Sequence, residues 1–341
     1  MHMDTVRHSR LGNLPCNGIK RPGRWRSFVL CICLTASISV FAAADQPAPK
    51  PADTNGTASS LKAKPQRLRA EVKADRVIIY AGERVFTEYQ FADDRKYPHF
   101  YPVNGPQSGR TVTVRDTEPY PHHSSIFFGC DRVNGGNYWQ EGLERGRIVS
   151  KAVRLIQEAG ANVELEQDCA WERPGAESPF TDHRRIVISA PSADRRYIDF
   201  DITLTARTKV KIEKTNHSLF AARMAPDLAV TGGGSLINAA GQKGEVGTFG
   251  KASPWADYRG KRGTATEGVT IFCRPDDRWF PSPWFTRDYG FFSPTAMNWL
   301  ENEGLELTKD ETIRLRYRVI IHADDPTATE LQGLFEEWSR P

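Results

Sequence analysis

Apolar and polar residues alternate with a period of two over most of the chain after residue 71. The alternation is clearest in the segments 85–91, 163–171, 198–204 and 313–321. Successive side chains of a β-strand point to opposite faces, so this period predicts strands with one buried face. Gly, Pro and Asp separate the runs, and most have no helical spacer between them. This arrangement favours antiparallel sheets packed face to face.

Two local elements are predicted with defined ends. Segments 76–80 and 85–91 flank an Ala-Gly-Glu turn at 81–83, which predicts a β-hairpin. Near the C-terminus, Thr327 and Glu330 have the spacing of a capping box, which predicts the start of a helix. The residues that recur on one face of that helix are Leu331, Leu334, Phe335 and Trp338. We therefore expect an all-β protein, one large antiparallel β-sandwich with a short C-terminal helix.

The first 68 residues differ in composition from the rest. Basic residues precede an apolar run at 28–41, and three alanines follow at 42–44, which is the order found in secretory signal peptides. The alternative is a membrane anchor, but the run is shorter than the roughly 20 residues that span a bilayer. Residues 45–68 are rich in Pro, Ala, Lys and Ser/Thr, as flexible linkers are. We predict a signal peptide at 1–44, a linker at 45–68, a single β-sandwich domain at 69–341, and a periplasmic or secreted location.

Charge and cysteine content change once residues 1–44 are set aside. Six Lys and Arg residues and one Asp lie there, so the formal charge of +4 becomes −1. A nearly neutral chain gives no indication of binding to nucleic acid or to a membrane surface. Cys130, Cys169 and Cys273 remain, and their wide spacing excludes a disulfide framework or a C-x-x-C zinc site.

The densest polar signal is the adjacent pair His122 and His123, just before the apolar run 126–129. An imidazole titrates near neutral pH and can transfer protons or bind a metal. Neighbouring side chains of a strand face opposite sides, so we expect only one of the pair in a given pocket unless the backbone turns. His99 and His183 are candidate partners, and the alternative is a histidine bonded to backbone near a loop. No cofactor is predicted, although the histidine count permits a divalent metal.

Three further segments combine charged and aromatic side chains. Asp182, His183 and Arg184 precede an apolar strand and could bind a polar or anionic ligand, or could be a solvated strand end. Segment 250–258 follows a glycine-rich stretch that matches no dinucleotide-binding or phosphate-binding fingerprint. Segment 284–292 repeats the combination. The candidate ligand-binding residues of these two segments are Lys251, Trp255, Asp257, Tyr258, Arg287 and Asp288.

Aromatic rings beside hydrogen-bonding groups suit a sugar, because a pyranose has an apolar C–H face and a rim of hydroxyls. Trp139, which follows a glycine-rich segment at 134–137, is a further candidate of this kind. The alternative for each of these rings is core packing, which is the usual role of large aromatic side chains.

These motifs occur in one order over nearly the whole chain after the linker. They are Pro-His-His-Ser with Phe-Gly, Asn-Gly before Tyr-Trp, Asp-His-Arg-Arg, Gly-Lys-Ala-x-Pro-Trp-Ala-Asp-Tyr, Arg-Asp-Tyr-Gly-x-Phe and Leu-Arg-Tyr-Arg-x-x-x-His. Their order resembles the bacterial family labelled methane oxygenase PmoA-like. The membrane subunit of particulate methane monooxygenase needs several spans, and no apolar run of about 18 residues follows residue 44, so we do not expect methane chemistry.

The resemblance implies a secreted β-sandwich protein associated with carbohydrate degradation. The size and the all-β pattern are also similar to those of the galactose-mutarotase-like supersandwich, in which acid and base residues act on a sugar held on an open sheet. Such a similarity of fold sets an expectation and does not identify a reaction.

Three functional hypotheses follow. The first is an exported enzyme, a lyase, hydrolase or epimerase, that acts on a sugar or oxidised sugar with His122, His123 and Asp182 as acid–base residues. The second is a non-catalytic glycan-binding module whose platforms are tryptophans, namely Trp139, Trp255 and Trp284. The third is a metal-dependent oxidoreductase, which rests on the histidine count alone. The expected partner in the first two is a carbohydrate or another polar small molecule.

Overall fold

The computed structural model describes residues 64–140, 142–301 and 304–340, which belong to a single compact unit. The predicted signal peptide and residues 45–63 of the predicted linker lie outside the described residues. The first strand begins at Leu68, one residue before the predicted start of the domain.

Within the described ranges the chain is built almost entirely of β-strands, and every paired strand is antiparallel to its neighbour. In chain order the strands are β1 (Leu68–Val72), β2 (Arg76–Ala81), β3 (Arg84–Gln90), β4 (His99–Val103), β5 (Arg115–Thr117), β6 (Tyr120–Ser124), β7 (Ile126–Cys130), β8 (Arg147–Gln157), β9 (Ala159–Gly160), β10 (Asn162–Glu172), β11 (Phe180–Ser189), β12 (Arg195–Ala206), β13 (Val210–Ile212), β14 (Ser218–Arg223), β15 (Ser235–Asn238), β16 (Trp255–Arg262), β17 (Ala265–Cys273), β18 (Trp284–Arg287), β19 (Phe291–Pro294), β20 (Leu305–Leu307) and β21 (Thr312–His322). The α-helices are α1 (Gly244–Thr248) and α2 (Ala328–Ser339), and single 3₁₀ turns occur at Leu143–Arg145, Pro226–Leu228, Val230–Gly232 and Met297–Trp299.

Two large sheets form the sandwich. The nine-stranded sheet has the order β18-β19-β14-β7-β4-β3-β2-β1-β9, and the eight-stranded sheet has the order β15-β16-β17-β21-β12-β11-β10-β8. Two small sheets, β5-β6 and β13-β20, lie outside them. The predicted all-β fold with a short C-terminal helix is confirmed.

The two large sheets face each other through aromatic side chains. The Phe128 ring in β7 lies 6.5 Å from that of Trp171 in β10, and Phe220 in β14 stacks on Tyr317 in β21 at 4.5 Å. Burial of such apolar surface contributes about 25 cal/mol per Å² to folding. Because strand side chains alternate, Phe127 points to the other face of the nine-stranded sheet, away from the core.

The predicted hairpin is confirmed, since β2 and β3 pair directly across a short turn. Gly82 in that turn has a φ of +59°, a left-handed conformation that glycine adopts without steric cost. Cys130, Cys169 and Cys273, the cysteines of the described ranges, are buried free thiols, so packing and hydrogen bonds hold this part of the chain together. No helix in the described ranges is both long and apolar enough to cross a membrane.

The predicted C-terminal helix is also confirmed. The Thr327 side chain accepts a hydrogen bond from Glu330 N, and the Glu330 carboxylate accepts one from Thr327 N, which completes the capping box. Leu331 and Phe335 are buried against Trp255 and other residues of β16, β17 and β21. Helix α2 therefore covers the outer face of the eight-stranded sheet.

Replacing Thr327 with alanine is expected to destabilise the fold by about 1 kcal/mol, because the first turn of α2 loses its capping acceptor. Urea unfolding followed by circular dichroism measures the change. Thr329→Ala is the matched control, since Thr329 is exposed two residues inside the same helix. Equal losses in the two variants would contradict a capping role.

Candidate functional site

The outer face of the nine-stranded sheet carries a continuous group of polar and aromatic side chains. Phe127 on this face lies 4.7 Å from Trp139 and 6.4 Å from His123, measured between ring centroids. Phe127 is paired with His99 in β4 and with Ala221 in β14, so alternate residues of these strands share the face.

The hairpin of β5 and β6 places both predicted histidines on this face. Their rings are 4.5 Å apart and nearly perpendicular, and the Tyr97 hydroxyl fixes the backbone by donating to His122 O at 2.6 Å. The His123 ring stacks on Phe291 at 4.5 Å and is buried, whereas His122 is half-buried. The expectation that only one histidine would face the site is wrong. Strand β6 belongs to the small β5-β6 sheet and not to either large sheet. No covering layer therefore keeps the side chains of His122 and His123 apart.

Asp131 and His217 complete one end of the group. Asp131 follows β7 and His217 precedes β14, and the pairing of these strands brings them together, with Asp131 N donating to His217 O. The His217 Nδ1 atom lies 3.4 Å from Asp131 Oδ2, and its ring lies 5.5 Å from that of His122. Neither residue belongs to a local motif, and only the β7–β14 pairing connects them, so the sequence analysis missed both.

Two tyrosines and an arginine complete the other end. The Tyr120 ring stacks on Tyr289 at 4.8 Å and lies 5.3 Å from His123. The Arg223 guanidinium lies 4.3 Å above the Tyr289 ring, and its Nη1 donates to Tyr289 O. Successive contacts therefore join seven side chains, which we call the histidine–tyrosine row: Asp131, His217, His122, His123, Tyr120, Tyr289 and Arg223.

Buried polar atoms without partners concentrate at this place. In the described ranges, nine buried side-chain nitrogen or oxygen atoms have no hydrogen-bond partner, and four belong to the row or to Trp139 beneath it. They are Asp131 Oδ1, His122 Nε2, His123 Nδ1 and Trp139 Nε1. Each such atom costs about 1–3 kcal/mol in the folded state. Four in one group therefore concentrate unpaired buried polar atoms at the row.

Burial keeps the paired histidines neutral. Burial, reinforced by the charge of His217, lowers the pKa of His122 to about 4. Burial also lowers the pKa of His123 to about 2, with further contributions from His122 and Arg223. A neutral imidazole has one donor and one acceptor nitrogen, so both rings can exchange hydrogen bonds with a hydroxyl group near pH 7.

His99 lies on the same face but has no free ring nitrogen. Its Nδ1 is 3.1 Å from Tyr97 O, and its Nε2 is 3.2 Å from Arg115 Nη1. Burial lowers the pKa of His99 to about 3, so this ring is neutral as well. His99 therefore supports the site through Tyr97, and the structure offers no open atom on it to a ligand.

Arg287 and Asp288 lie on the strand and turn next to Tyr289. Arg287 Nη1 is 2.9 Å from Glu245 Oε1, and the guanidinium lies 4.2 Å above the Phe285 ring. Asp288 Oδ1 accepts a hydrogen bond from Glu245 N, which ties α1 to this turn. Lys251 is exposed in the loop after α1, and Tyr258 is buried with its hydroxyl donating to Arg287 O.

Asp182 and Arg184 lie inside the sandwich and not beside the histidines. Arg184 Nε donates to Asp182 Oδ1 at 2.6 Å, and Trp171 Nε1 donates to Asp182 Oδ2 at 2.8 Å. Both charged side chains are fully buried, and Arg184 also bonds the Tyr89 hydroxyl. The predicted acid–base role of Asp182 beside the histidine pair therefore has no geometric support.

His183 and Asp257 belong to the eight-stranded sheet. His183 is exposed, with its Nδ1 2.8 Å from Asp168 Oδ1. Asp257 is buried near the start of α2, where it accepts hydrogen bonds from Arg259 and Thr270 and contacts His322 at 2.9 Å. Burial raises the pKa of Asp257, but the neighbouring His322 and Arg259 outweigh it and hold the pKa below its usual value. Asp257 is a structural anchor for the segment that leads into α2.

The predicted tryptophan platforms are wrong. Trp139, Trp255 and Trp284 are each at most 1% exposed, so none can stack on a glycan at the surface. The indole of Trp255 packs under α2 and donates to Gln332, as the core-packing alternative expected. The rings of Tyr120 and Tyr289 are half-buried, as are those of His122 and His217, so a ligand can reach these four rings of the row.

A cavity of about 680 Å³ lies between the segments 143–147 and 172–178, and the histidine pair does not line it. A smaller cavity of about 260 Å³ is lined by Asp131, Asn137 and Gln140 and adjoins the Asp131 end of the row. No three His, Cys, Asp or Glu residues in the described ranges are grouped to hold a metal ion, so we derive no step through a metal.

Comparison with known proteins gives a family, and among the solved structures it gives a sugar epimerase of partial similarity. The model of a family described as a family of unknown function, DUF6807, matches residues 76–336. No curated protein matches the sequence. The crystal structure of galactose 1-epimerase from Lactobacillus acidophilus NCFM is similar with a TM-score of 0.37 and 9% identity, over 77% of this chain and 100% of that chain. At that TM-score, the epimerase activity remains a property of the other protein.

Proposed function

The chain belongs to the DUF6807 family of unknown function, and from its own side chains we propose that it is an exported enzyme acting on a sugar by acid–base chemistry. The site is the histidine–tyrosine row. The observation that carries the proposal is the half-buried pair of His122 and His217, with ring centroids 5.5 Å apart, on the same row as the stacked rings of Tyr120 and Tyr289. Export rests on the leader-like order of basic, apolar and small residues in 1–44.

The chemistry of the row matches that of a sugar. A pyranose can place its C–H face against an aromatic ring while its hydroxyls bond to polar atoms at the edge. Tyr120 and Tyr289 provide the rings, and the half-buried imidazoles of His122 and His217 are the polar groups on the same row. A purely apolar ligand would cover these polar groups without bonding to them and is disfavoured.

Acid–base chemistry follows from the two different imidazoles at the Asp131 end. Asp131 Oδ2 lies 3.4 Å from His217 Nδ1, which is the arrangement by which a carboxylate orients a histidine that acts as a general acid or base. His122 is neutral and its ring centroid is 5.5 Å from that of His217. One ring can accept a proton while the other bonds an oxygen of the same sugar. Lyase, hydrolase and epimerase reactions all begin with such a transfer.

His217→Asn is expected to reduce kcat/KM at least 100-fold on whichever sugar the wild-type protein converts, because removal of a general acid or base costs about 10²–10⁴. Substrates are found by incubating the protein with mono- and oligosaccharides and following the products by NMR. His183→Asn is the matched control, since His183 also pairs with an aspartate but is exposed on the other sheet.

Equal effects of the two histidine variants would refute the assignment of the site. Both proteins should keep their melting temperatures within a few degrees, so that loss of activity is not loss of fold. Sugar binding without turnover, abolished by Tyr289→Ala, would favour the second candidate, a non-catalytic glycan-binding module. The stacked rings of Tyr120 and Tyr289 support this second candidate, because they could bind a glycan without catalysis.

A further inference from the structure

We propose that Arg223 binds the carboxylate of an acidic sugar, so that the histidine–tyrosine row is specific for ligands of the uronic-acid type. This inference rests on the proposed function, because it assigns a substrate class to the same site.

Arg223 is a nearly buried cation without a carboxylate partner. Its Nη1 donates to Tyr289 O, and its Nε and Nη2 atoms have no partner in the described ranges. Two other buried arginines are paired, Arg184 with Asp182 and Arg259 with Asp257, whereas Arg196 donates to Asn104 O and, like Arg223, has no carboxylate partner in the described ranges. A buried guanidinium without a counter-ion is costly, so a ligand that supplies a negative charge here would be bound favourably.

The free edge of the guanidinium has the geometry for a carboxylate. With Nη1 engaged, the Nε and Nη2 groups form the parallel pair of donors that a carboxylate accepts in a bidentate manner. Arg223 retains 5% exposure, and neither Nε nor Nη2 is among the buried atoms closed off from solvent. Burial nevertheless lowers the pKa of Arg223, as expected for a cation whose neighbours, apart from a carbonyl, are aromatic rings.

The charges along the row orient such a ligand. Arg223 lies at one end, beside Tyr289, and the only carboxylate of the row, Asp131, lies at the other end with an unpartnered Oδ1 atom. A ligand carboxylate is attracted to the first end and repelled from the second. Its hydroxyls then lie over Tyr120 and the histidines. An acidic sugar can therefore bind in only one direction.

The test compares acids with their neutral esters. Di- to tetrasaccharides that contain glucuronate or galacturonate, each with its methyl ester, are titrated into the full-length protein by calorimetry. Wild type is expected to bind at least one acid about 10-fold or more tightly than its ester, since a charge-assisted hydrogen bond contributes about 1.5–3 kcal/mol. Arg223→Gln should reduce this ratio to about one, and Arg223→Lys should keep part of it.

The control and the contrary outcomes separate this inference from the proposed function. Arg154→Gln removes an exposed arginine of the other sheet that pairs with Asp168, and it should keep the full acid preference. Equal binding of acids and esters by wild type, or equal weakening of both by Arg223→Gln, would overturn the carboxylate assignment. Turnover of neutral sugars that depends on His217 would still support the proposed function. Failure of every sugar to bind would overturn both the carboxylate assignment and the proposed function.

Discussion

Replacing Asp182 with alanine is expected to destabilise the protein by about 3–5 kcal/mol, the range found when one partner of a buried ion pair is removed. The variant leaves the Arg184 guanidinium uncompensated between the sheets and removes the acceptor of Trp171 Nε1. Relocating such a charge to water would require the sandwich to open. Urea unfolding, read by tryptophan fluorescence and circular dichroism, measures the loss.

Asp168→Ala is the matched control for this prediction. Asp168 lies in the adjacent strand β10 but on the outer face, where it pairs with Arg154 and His183 in solvent. Exposed pairs of this kind contribute about 1 kcal/mol or less, so the control should change stability little. Comparable losses of unfolding free energy in the two variants would show that the buried ion pair stabilises the protein no more than the exposed one does. The double variant Asp182→Leu, Arg184→Met should recover part of the stability, because it removes both charges together.

Acidification from pH 6.5 to pH 5 is expected to cost about 2 kcal/mol of stability through His123 alone. The folded pKa of His123 is about 2, and the pKa in the unfolded chain is about 6.5, so the folded state resists protonation. The contribution of His123 is complete above pH 6.5 and is lost as the pH falls, because only the unfolded chain then binds the proton. The titratable groups around His123 are His122, His217 and Arg223, and a positive charge on any of them disfavours protonation of His123 further.

The comparison of wild type with His123→Phe isolates this effect. A phenylalanine keeps the stack on Phe291 and cannot titrate, so wild type should lose about 2 kcal/mol of stability relative to the variant between pH 6.5 and pH 5. Burial raises the pKa of Asp277 to about 6, which acts in the opposite direction, but it is common to both proteins and cancels in the difference. Parallel pH curves for the two proteins would contradict a histidine held neutral by burial.

The burial of Asp182 and Arg184, which the sequence analysis missed, can be read from the alternation of apolar and polar positions. The phase of this alternation shows which residues of a strand share its buried face. In β11, Asp182 and Arg184 share the face of Ile186 and Ile188, which is the buried face, whereas His183 shares the opposite one. In β16, the alternation of side chains likewise places Trp255 and Asp257 on one face. Charged residues in phase with apolar ones are candidates for buried pairs. The sequence analysis assigned Asp182 to the site because it weighed residue type before phase.

The chain sequence alone determined the elements whose signals are local: the hairpin around Gly82, the capping box that begins α2, and the strands that make the protein all-β. These follow from side-chain period and turn chemistry over a few residues. The composition of the site was decided only by the tertiary structure. Asp131 meets His217 because β7 pairs with β14, and Arg223 meets Tyr289 because β14 pairs with β19. Strand pairing between distant segments depends on the packing of the whole sheet, and no local pattern encodes which side chains it brings together.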